Sequence, residues 1–306
     1  MCLRIASVRS AKASDAELRS RISIPSSAGG GATLAADARR NSALRSNCLE
    51  FPMLALLTAT SLGVKLLRRF DASSFGASWP YSELDLARMD PSPDIQFYET
   101  PRFVTHIDDG AIRALTDFYR QELTSGADVL DLCSSWISHL PDELALGRVA
   151  GVGMNARELE RNERLTEFAQ CDLNFEPVLP YDDATFDFVC NVVSVDYLCR
   201  PQEIFAEMHR VLRPGGKALM SFSNRCFPSK AVKMWLYADD ATRMEIVASY
   251  YNFAPQGGWD NIEAYDIKKG GDGAAPDALA DPLGFLGALF GSVGGDPMFV
   301  VAGTKR

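Results

Sequence analysis

PQEIFAEMHRVLRPGGKALMSF, residues 201–222, decides the architecture. Ile204, Phe205, Met208, Val211 and Leu212 recur at the spacing of one helix face. Pro201 suits a first turn, whose N–H needs no partner inside the helix, and Pro214-Gly215-Gly216 forbids continuation. Lys217–Phe222 then reads as a strand. Upstream, Phe186–Ser194 (FDFVCNVVS) is nearly continuously apolar, as a strand buried on both faces must be. Strand, helix, tight turn and strand in that order make a βαβ unit.

The pattern repeats outward. Ala127–Leu132 (ADVLDL), Arg148–Met154 (RVAGVGM) and Phe168–Leu173 (FAQCDL) read as three earlier strands. Asp108 is placed to cap a helix through Ile112, Leu115, Phe118, Tyr119 and Leu123. Ala231–Tyr251 reads as a helix, and Ile262–Ile267 and Met298–Ala302 as the last strands. Repeated βα units imply a parallel sheet with helices on both faces. Ligands of such sheets bind outside the carboxyl ends of the strands, near the point where strand order reverses.

The chain has 306 residues, 47% apolar and 23% charged, which excludes fibrous and mostly disordered classes. There are 31 Lys+Arg against 40 Asp+Glu, a net charge of −9. That balance argues against a nucleic-acid partner, which needs a basic face. The charge is uneven: residues 1–50 carry +4, leaving −13 for the remainder. Residues 1–50 are rich in Ser, Ala and Arg and without apolar periodicity, and read as a transit peptide or disordered tail. The Ser and Ala content points to a plastid, with the mitochondrion as the alternative. Phe51–Val64 is an apolar run too short to span a bilayer, closed by Lys65, Arg68 and Arg69. We read it as a packed or membrane-surface helix, and residues 51–69 as a point of membrane-surface association. Residues 71–95, with Pro80, Pro91 and Pro93, read as a linker or covering segment. The folded domain then covers 96–306, with a Gly/Ala/Asp-rich insertion at 270–296. Seven cysteines without a C-x-x-C pair, and three histidines without metal spacing, point to reduced thiols and no metal site.

Three segments in order, Val129-Leu-Asp-Leu132, Leu179-Pro-Tyr-Asp-Asp-Ala-Thr-Phe-Asp-Phe-Val189 and Arg210-Val-Leu-Arg-Pro-Gly-Gly216, resemble the class I S-adenosylmethionine-dependent methyltransferases, type 11-like. The resemblance covers roughly residues 96–269 and 297–306. It implies a Rossmann-like α/β fold, seven strands in a mostly parallel sheet with the last strand antiparallel. It also implies S-adenosyl-L-methionine as cofactor and methyl transfer as the reaction.

Residue by residue, the resemblance implies that Asp131 closes the first strand before a glycine-rich turn that lets backbone approach the cofactor. Here that turn is Cys133-Ser134-Ser135-Trp136-Ile137, with no glycine. Positive φ at Cys133, Ser135 or Ile137 would be strained by about 1 kcal/mol each, so the turn is expected either to take another shape or to alter the pocket. Ser134 and Ser135 offer hydroxyls to a cofactor carboxylate. Asn155 stands where the resemblance puts an acid for the ribose hydroxyls. Asp172 and the Leu173 backbone stand beside the adenine, and Asn191 to Asp196 line the floor. Substrate contacts are expected among His106, His139, Asp196, Tyr197, Asn224 and Arg225. Pro101–Asp108 is expected to fold over the cofactor. Catalysis of this kind rests on proximity and orientation, and no residue is singled out as catalytic. The acceptor is expected to be a small molecule. The alternative reading, motivated by the lost glycines and by Asn155, is a non-catalytic module for binding or assembly.

Overall fold

The computed structural model describes residues 3–7, 64–268 and 295–306. One mixed sheet organises them, in the order β1-β5-β4-β3-β6-β7-β9-β8-β2. Its centre is the parallel set expected: β3 (Val129–Leu132), β4 (Val149–Gly153), β5 (Glu167–Gln170), β6 (Phe186–Val192) and β7 (Leu212–Phe222). The chain runs from β3 outward to β5, then returns to build β6 and β7 on the other side. The order therefore reverses at β3, and the carboxyl ends around it are where a ligand crevice forms. The last strand, β9 (Phe299–Lys305), lies antiparallel between β7 and β8 (Trp259–Asp266).

Alternation along the strands fills both faces. Leu130, Leu132, Ala150, Val152 and Val189 join one buried cluster, while Val129, Val149, Phe188 and Cys190 join the other. The first cluster is covered by α4 (Pro201–Val211) and α6 (Asp240–Asn252), the second by α2 (Asp109–Glu122) and α3 (Ala156–Arg161). Asp108 caps α2 as expected, its carboxylate accepting the Ala111 amide at 2.7 Å. The expected single helix over 231–251 is broken: Tyr237–Asp239 separate a short α5 (Lys233–Leu236) from α6, which Asp239 caps through the Thr242 amide.

Two edge strands enlarge the expected seven. Leu3–Ser7 (β1) pairs antiparallel with β5, inside the segment read as a leader. Lys65–Phe70 (β2) pairs antiparallel with β8, where the close of a helix was expected. Arg68 pairs with Glu245 and Arg69 with Glu263, so these cations face the domain's own acids. Alternation is hidden in KLLRRF because an edge strand exposes both faces to water, which leaves Phe70 as its one buried residue. The rest of the expected leader, Phe51–Gly63 and most of the expected insertion lie outside the described residues. No helix among the described residues is long and apolar enough to cross a membrane. Cys171 is disulfide-bonded, which corrects the expectation of reduced thiols, while Cys133, Cys190, Cys199 and Cys226 are free. Cys171 follows β5, against which β1 docks, a long-range approach that cysteine spacing does not encode.

Candidate active site

A cavity of about 310 Å³ opens at the carboxyl ends of β3 to β6. Its floor comes from the loops after those strands: Cys133–Ile137, Gly153 and Met154, Cys171–Asn174, and Val192–Ser194. Arg225–Phe227, beyond β7, close one side. The roof is the segment before α2, which contributes Asp94, Tyr98, Arg102 and Val104–Ile107. The expected cover over the site is therefore present, and it begins earlier than Pro101.

The roof is fixed at both ends. Asp94 is buried at the start of α1 (Asp94–Phe97) and accepts both oxygens' worth of hydrogen bonds from Arg88, at 2.6 and 2.7 Å. The fully buried Lys230 ammonium lies 3.3 Å from the same carboxylate, and Asn174 donates to it at 2.9 Å. At the far end Asp108 and Asp296 exchange backbone–carboxylate hydrogen bonds, and Lys268 reaches Asp108 at 3.2 Å. Between these anchors the holds are lighter. The Trp136 indole donates to the Val104 carbonyl at 3.1 Å, and the Arg102 amide donates to Glu158 at 2.7 Å. The Arg102 guanidinium lies 4.4 Å over the Phe97 ring and 5.5 Å from that of Phe227.

The glycine-free turn solves its problem by changing shape. Only Cys133 among the three glycine-equivalent positions has positive φ, at 59°. Asp131 lies just before it, 3% exposed, and one of its carboxylate oxygens accepts from the Ser134 and Ser138 hydroxyls, each at 2.6 Å. Burial raises its pKa to about 6, and the two hydroxyls limit the rise. Ser135 donates to Glu158 at 2.6 Å. The two hydroxyls expected to face a cofactor carboxylate thus serve the protein's own carboxylates. Positive φ recurs at His139 (54°) and Val193 (41°), both lining the cavity. Such backbone costs about 1–3 kcal/mol each and persists where the surroundings hold it.

Of the other expected residues, Asp172 and Leu173 line the cavity. Asp172 also caps its own turn, accepting the Asn174 and Phe175 amides at 3.1 Å. Asn155 does not line this cavity: it caps α3 through the Arg157 and Glu158 amides and donates to the Tyr98 and Glu99 carbonyls. Every hydrogen-bonding group of its side chain is occupied. Asn191 is fully buried and ties β6 to the Leu132 carbonyl at 2.9 Å, beneath the floor and outside the lining. Asp196 is also outside the lining, buried, with its pKa raised by burial to about 8. Asn224 is exposed at the surface beside the cavity. His106, His139, Tyr197 and Arg225 do line it. Burial lowers the His106 pKa and brings that of His139 to about 4, so both rings stay neutral near pH 7. The Tyr197 hydroxyl accepts the Phe227 amide at 2.8 Å, and Arg225 pairs with Asp296 at 2.7 Å. No group of side chains able to hold a metal occurs among the described residues.

Residues 133–220 match a family model described as a methyltransferase domain. The chain is 25% identical over 189 residues to the methyltransferase GfsG of Streptomyces halstedii, covering 56% of this chain and 67% of that one. Over residues 133–220 the chain is similar to methyltransferase domains. Solved structures similar to it include a phosphoethanolamine N-methyltransferase 2 of Haemonchus contortus in complex with S-adenosyl-L-methionine, at 16% identity and a TM-score of 0.43. That match covers 63% of this chain and 52% of that chain, so this chain spans about half of that protein's length. A SAM-dependent methyltransferase from Aquifex aeolicus is similar at 14% identity and a TM-score of 0.41, over 71% of this chain and 99% of that chain.

Tyr98, Arg102, Met154, Glu158 and Phe227 also line the cavity and escaped the sequence reading. One of them carried a signal. Asn155-Ala-Arg-Glu158 has the spacing of a capping box, which puts an acid in the first turn of a helix directly behind β4. In the fold Asn155 is the cap, but the Glu158 carboxylate makes no return bond to it and turns instead to the Arg102 amide and the Ser135 hydroxyl.

Proposed function

We propose that this protein transfers the methyl group of S-adenosyl-L-methionine to a small-molecule acceptor held under the roof segment. The carrying observation is the cavity itself. It sits at the reversal of strand order, with Asp131 from the end of β3, Glu158 from the helix after β4 and Asp172 from the loop after β5, and an aromatic-lined cover above. The residues fit the cofactor: Asp172 and Leu173 line the end suited to the adenine, and Asp131 the end suited to the amino-acid portion. When bound, the cofactor supplies an electrophilic methyl group. The chain's part is to align the acceptor with that group and to exclude water, which the roof does.

His106, His139, Tyr197 and Arg225 are the polar groups at the acceptor side. A neutral imidazole at His106 or His139 accepts a hydrogen bond from an acceptor hydroxyl or amine. We assign neither as a base. The composition of residues 1–50 supports delivery to a plastid, and the Phe51–Val64 run supports an apolar acceptor or a membrane-surface encounter.

Titration of S-adenosyl-L-methionine into the full chain, followed by calorimetry, tests the reading. Micromolar binding is expected. A folded protein that takes up no heat at millimolar cofactor would overturn it and return the non-catalytic alternative.

A further inference from the structure

The end of β4 poses a problem of chemistry. A nucleoside in a crevice of this kind needs a carboxylate for its ribose hydroxyls, which on such sheets comes from the strand after the first turn. That strand here ends in Gly153, and the backbone forbids anything larger. A Cβ at Gly153 would stand 2.2 Å from the Ser134 carbonyl oxygen and 3.1 Å from the Leu159 side chain. The glycine-free turn is what brings Ser134 so close, since its amide bonds the Val152 carbonyl at 2.7 Å. Asn155 cannot substitute, because its side chain is saturated by the α3 cap and the Tyr98 and Glu99 carbonyls.

Glu158 remains. It is 7% exposed, it lines the cavity, and it lies one helical turn behind Gly153. Each of its oxygens has a single donor: the Arg102 amide on Oε1 and the Ser135 hydroxyl on Oε2. A carboxylate has about four lone-pair sites, so roughly two stay open. No described cation forms a salt bridge with it, unlike Asp94. A buried carboxylate half supplied with donors in a ligand cavity has a standing demand for O–H groups.

Resting on the reading above, we propose that Glu158 is the carboxylate that receives the ribose hydroxyls of the cofactor. The acid has moved from the strand end to the following helix. Ser135, which replaces a glycine, and the backbone of Arg102, in the roof, each occupy one of its lone pairs and leave the others to the ligand. The three departures at Ser135, Gly153 and Glu158 are then one rearrangement rather than three losses.

The test is calorimetric and needs no turnover. Full-length wild type and Glu158→Gln are titrated with S-adenosylhomocysteine and with its 2′-deoxyribose analogue. In wild type the missing hydroxyl is expected to weaken binding about tenfold, the value of one hydrogen bond to a buried charge. In Glu158→Gln the ribose ligand is expected to bind about tenfold more weakly, with the difference between the two ligands largely gone. Ser135→Ala supplies a second arm: the carboxylate stays, so the difference is expected to stay. A wild type that binds both ligands equally, or a Glu158→Gln protein that keeps the full difference, overturns the proposal alone. Loss of the difference in Ser135→Ala also overturns it. A wild type that binds neither ligand overturns the underlying reading and the proposal with it.

Discussion

Asp131, near the end of β3, and Asp172, in the loop after β5, stand at the same edge of the sheet and are used in opposite ways. Asp172 stays at the cavity surface, half exposed, and caps its turn through two backbone amides. Asp131 is drawn inside and is held by two side-chain hydroxyls. The difference follows from local sequence. The β5 loop presents backbone N–H groups directly, as an Asx turn does. The Cys133–Ile137 turn has no glycine with which to aim its amides, so Ser134 and Ser138 bring the donors on side chains. One acid is a turn former that also faces the cavity, and the other is a buried charge whose stability depends on two serines.

Removing both donors is the hardest blow to that contrast. Ser134→Ala combined with Ser138→Ala leaves Asp131 buried without the hydroxyls, and a loss of about 3–5 kcal/mol in urea unfolding is expected. The matching disruption at the other loop, Asp172→Asn, is expected to cost at most about 1 kcal/mol, because an exposed turn rehydrates. Comparable losses at both sites would erase the distinction.

A pH series sharpens it. The Asp131 pKa is raised from 3.8 to about 6, so the folded state holds a proton more tightly than the unfolded one. The stability from this group is therefore greatest below pH 4 and falls as pH rises toward 6, by about 3 kcal/mol in all. Asp131→Asn lacks that dependence. Subtracting its unfolding free energies from those of wild type should give a curve that declines between those limits, and a flat curve would show that the carboxylate is not desolvated.

Gly153→Ala asks whether the turn's approach to β4 is as tight as the Ser134 carbonyl makes it. A loss of about 1–3 kcal/mol is expected in thermal melting, from overpacking against backbone that cannot swing away. The smallest effect is a gain. Cys133→Gly relieves a positive φ at a residue with a Cβ, and stabilisation of about 1 kcal/mol or less is expected. A large loss there would mean the thiol's packing outweighs its backbone strain.

The central sheet was legible because its signals are local: apolar runs of strand length, a helix face, and Pro-Gly-Gly as a stop. Asp131, Asp172 and Leu173 were legible for the same reason, each standing at a strand end. Asn155 was misplaced because distance after a strand was counted, while the helix beginning there has stronger chemistry and claims the side chain as its cap. Asn191 alternates to the floor's underside, which depends on where β6 sits against β3. Glu158, Arg102 and Tyr98 reach the cavity only because the roof folds back onto α3, and sequence distances of more than 50 residues separate those partners. The edge strand Lys65–Phe70 was missed because little of it is buried.

The two anchors of the roof also set how molecules enter and leave. Breaking the Asp94 cluster or the Asp108–Asp296 cluster strands buried charge, at about 3–5 kcal/mol, which makes such openings roughly 10²–10⁴ times rarer than the closed form. The Trp136–Val104 and Arg102–Glu158 bonds between them are single hydrogen bonds, of about 1–3 kcal/mol each. The middle of the roof, at Phe103–His106, is therefore the part expected to bow outward most readily while both ends stay shut. On the function and the Glu158 contact proposed above, a cofactor seated beside Glu158 and an acceptor near His106 would share that way in, and the expected order is donor first in, spent donor last out.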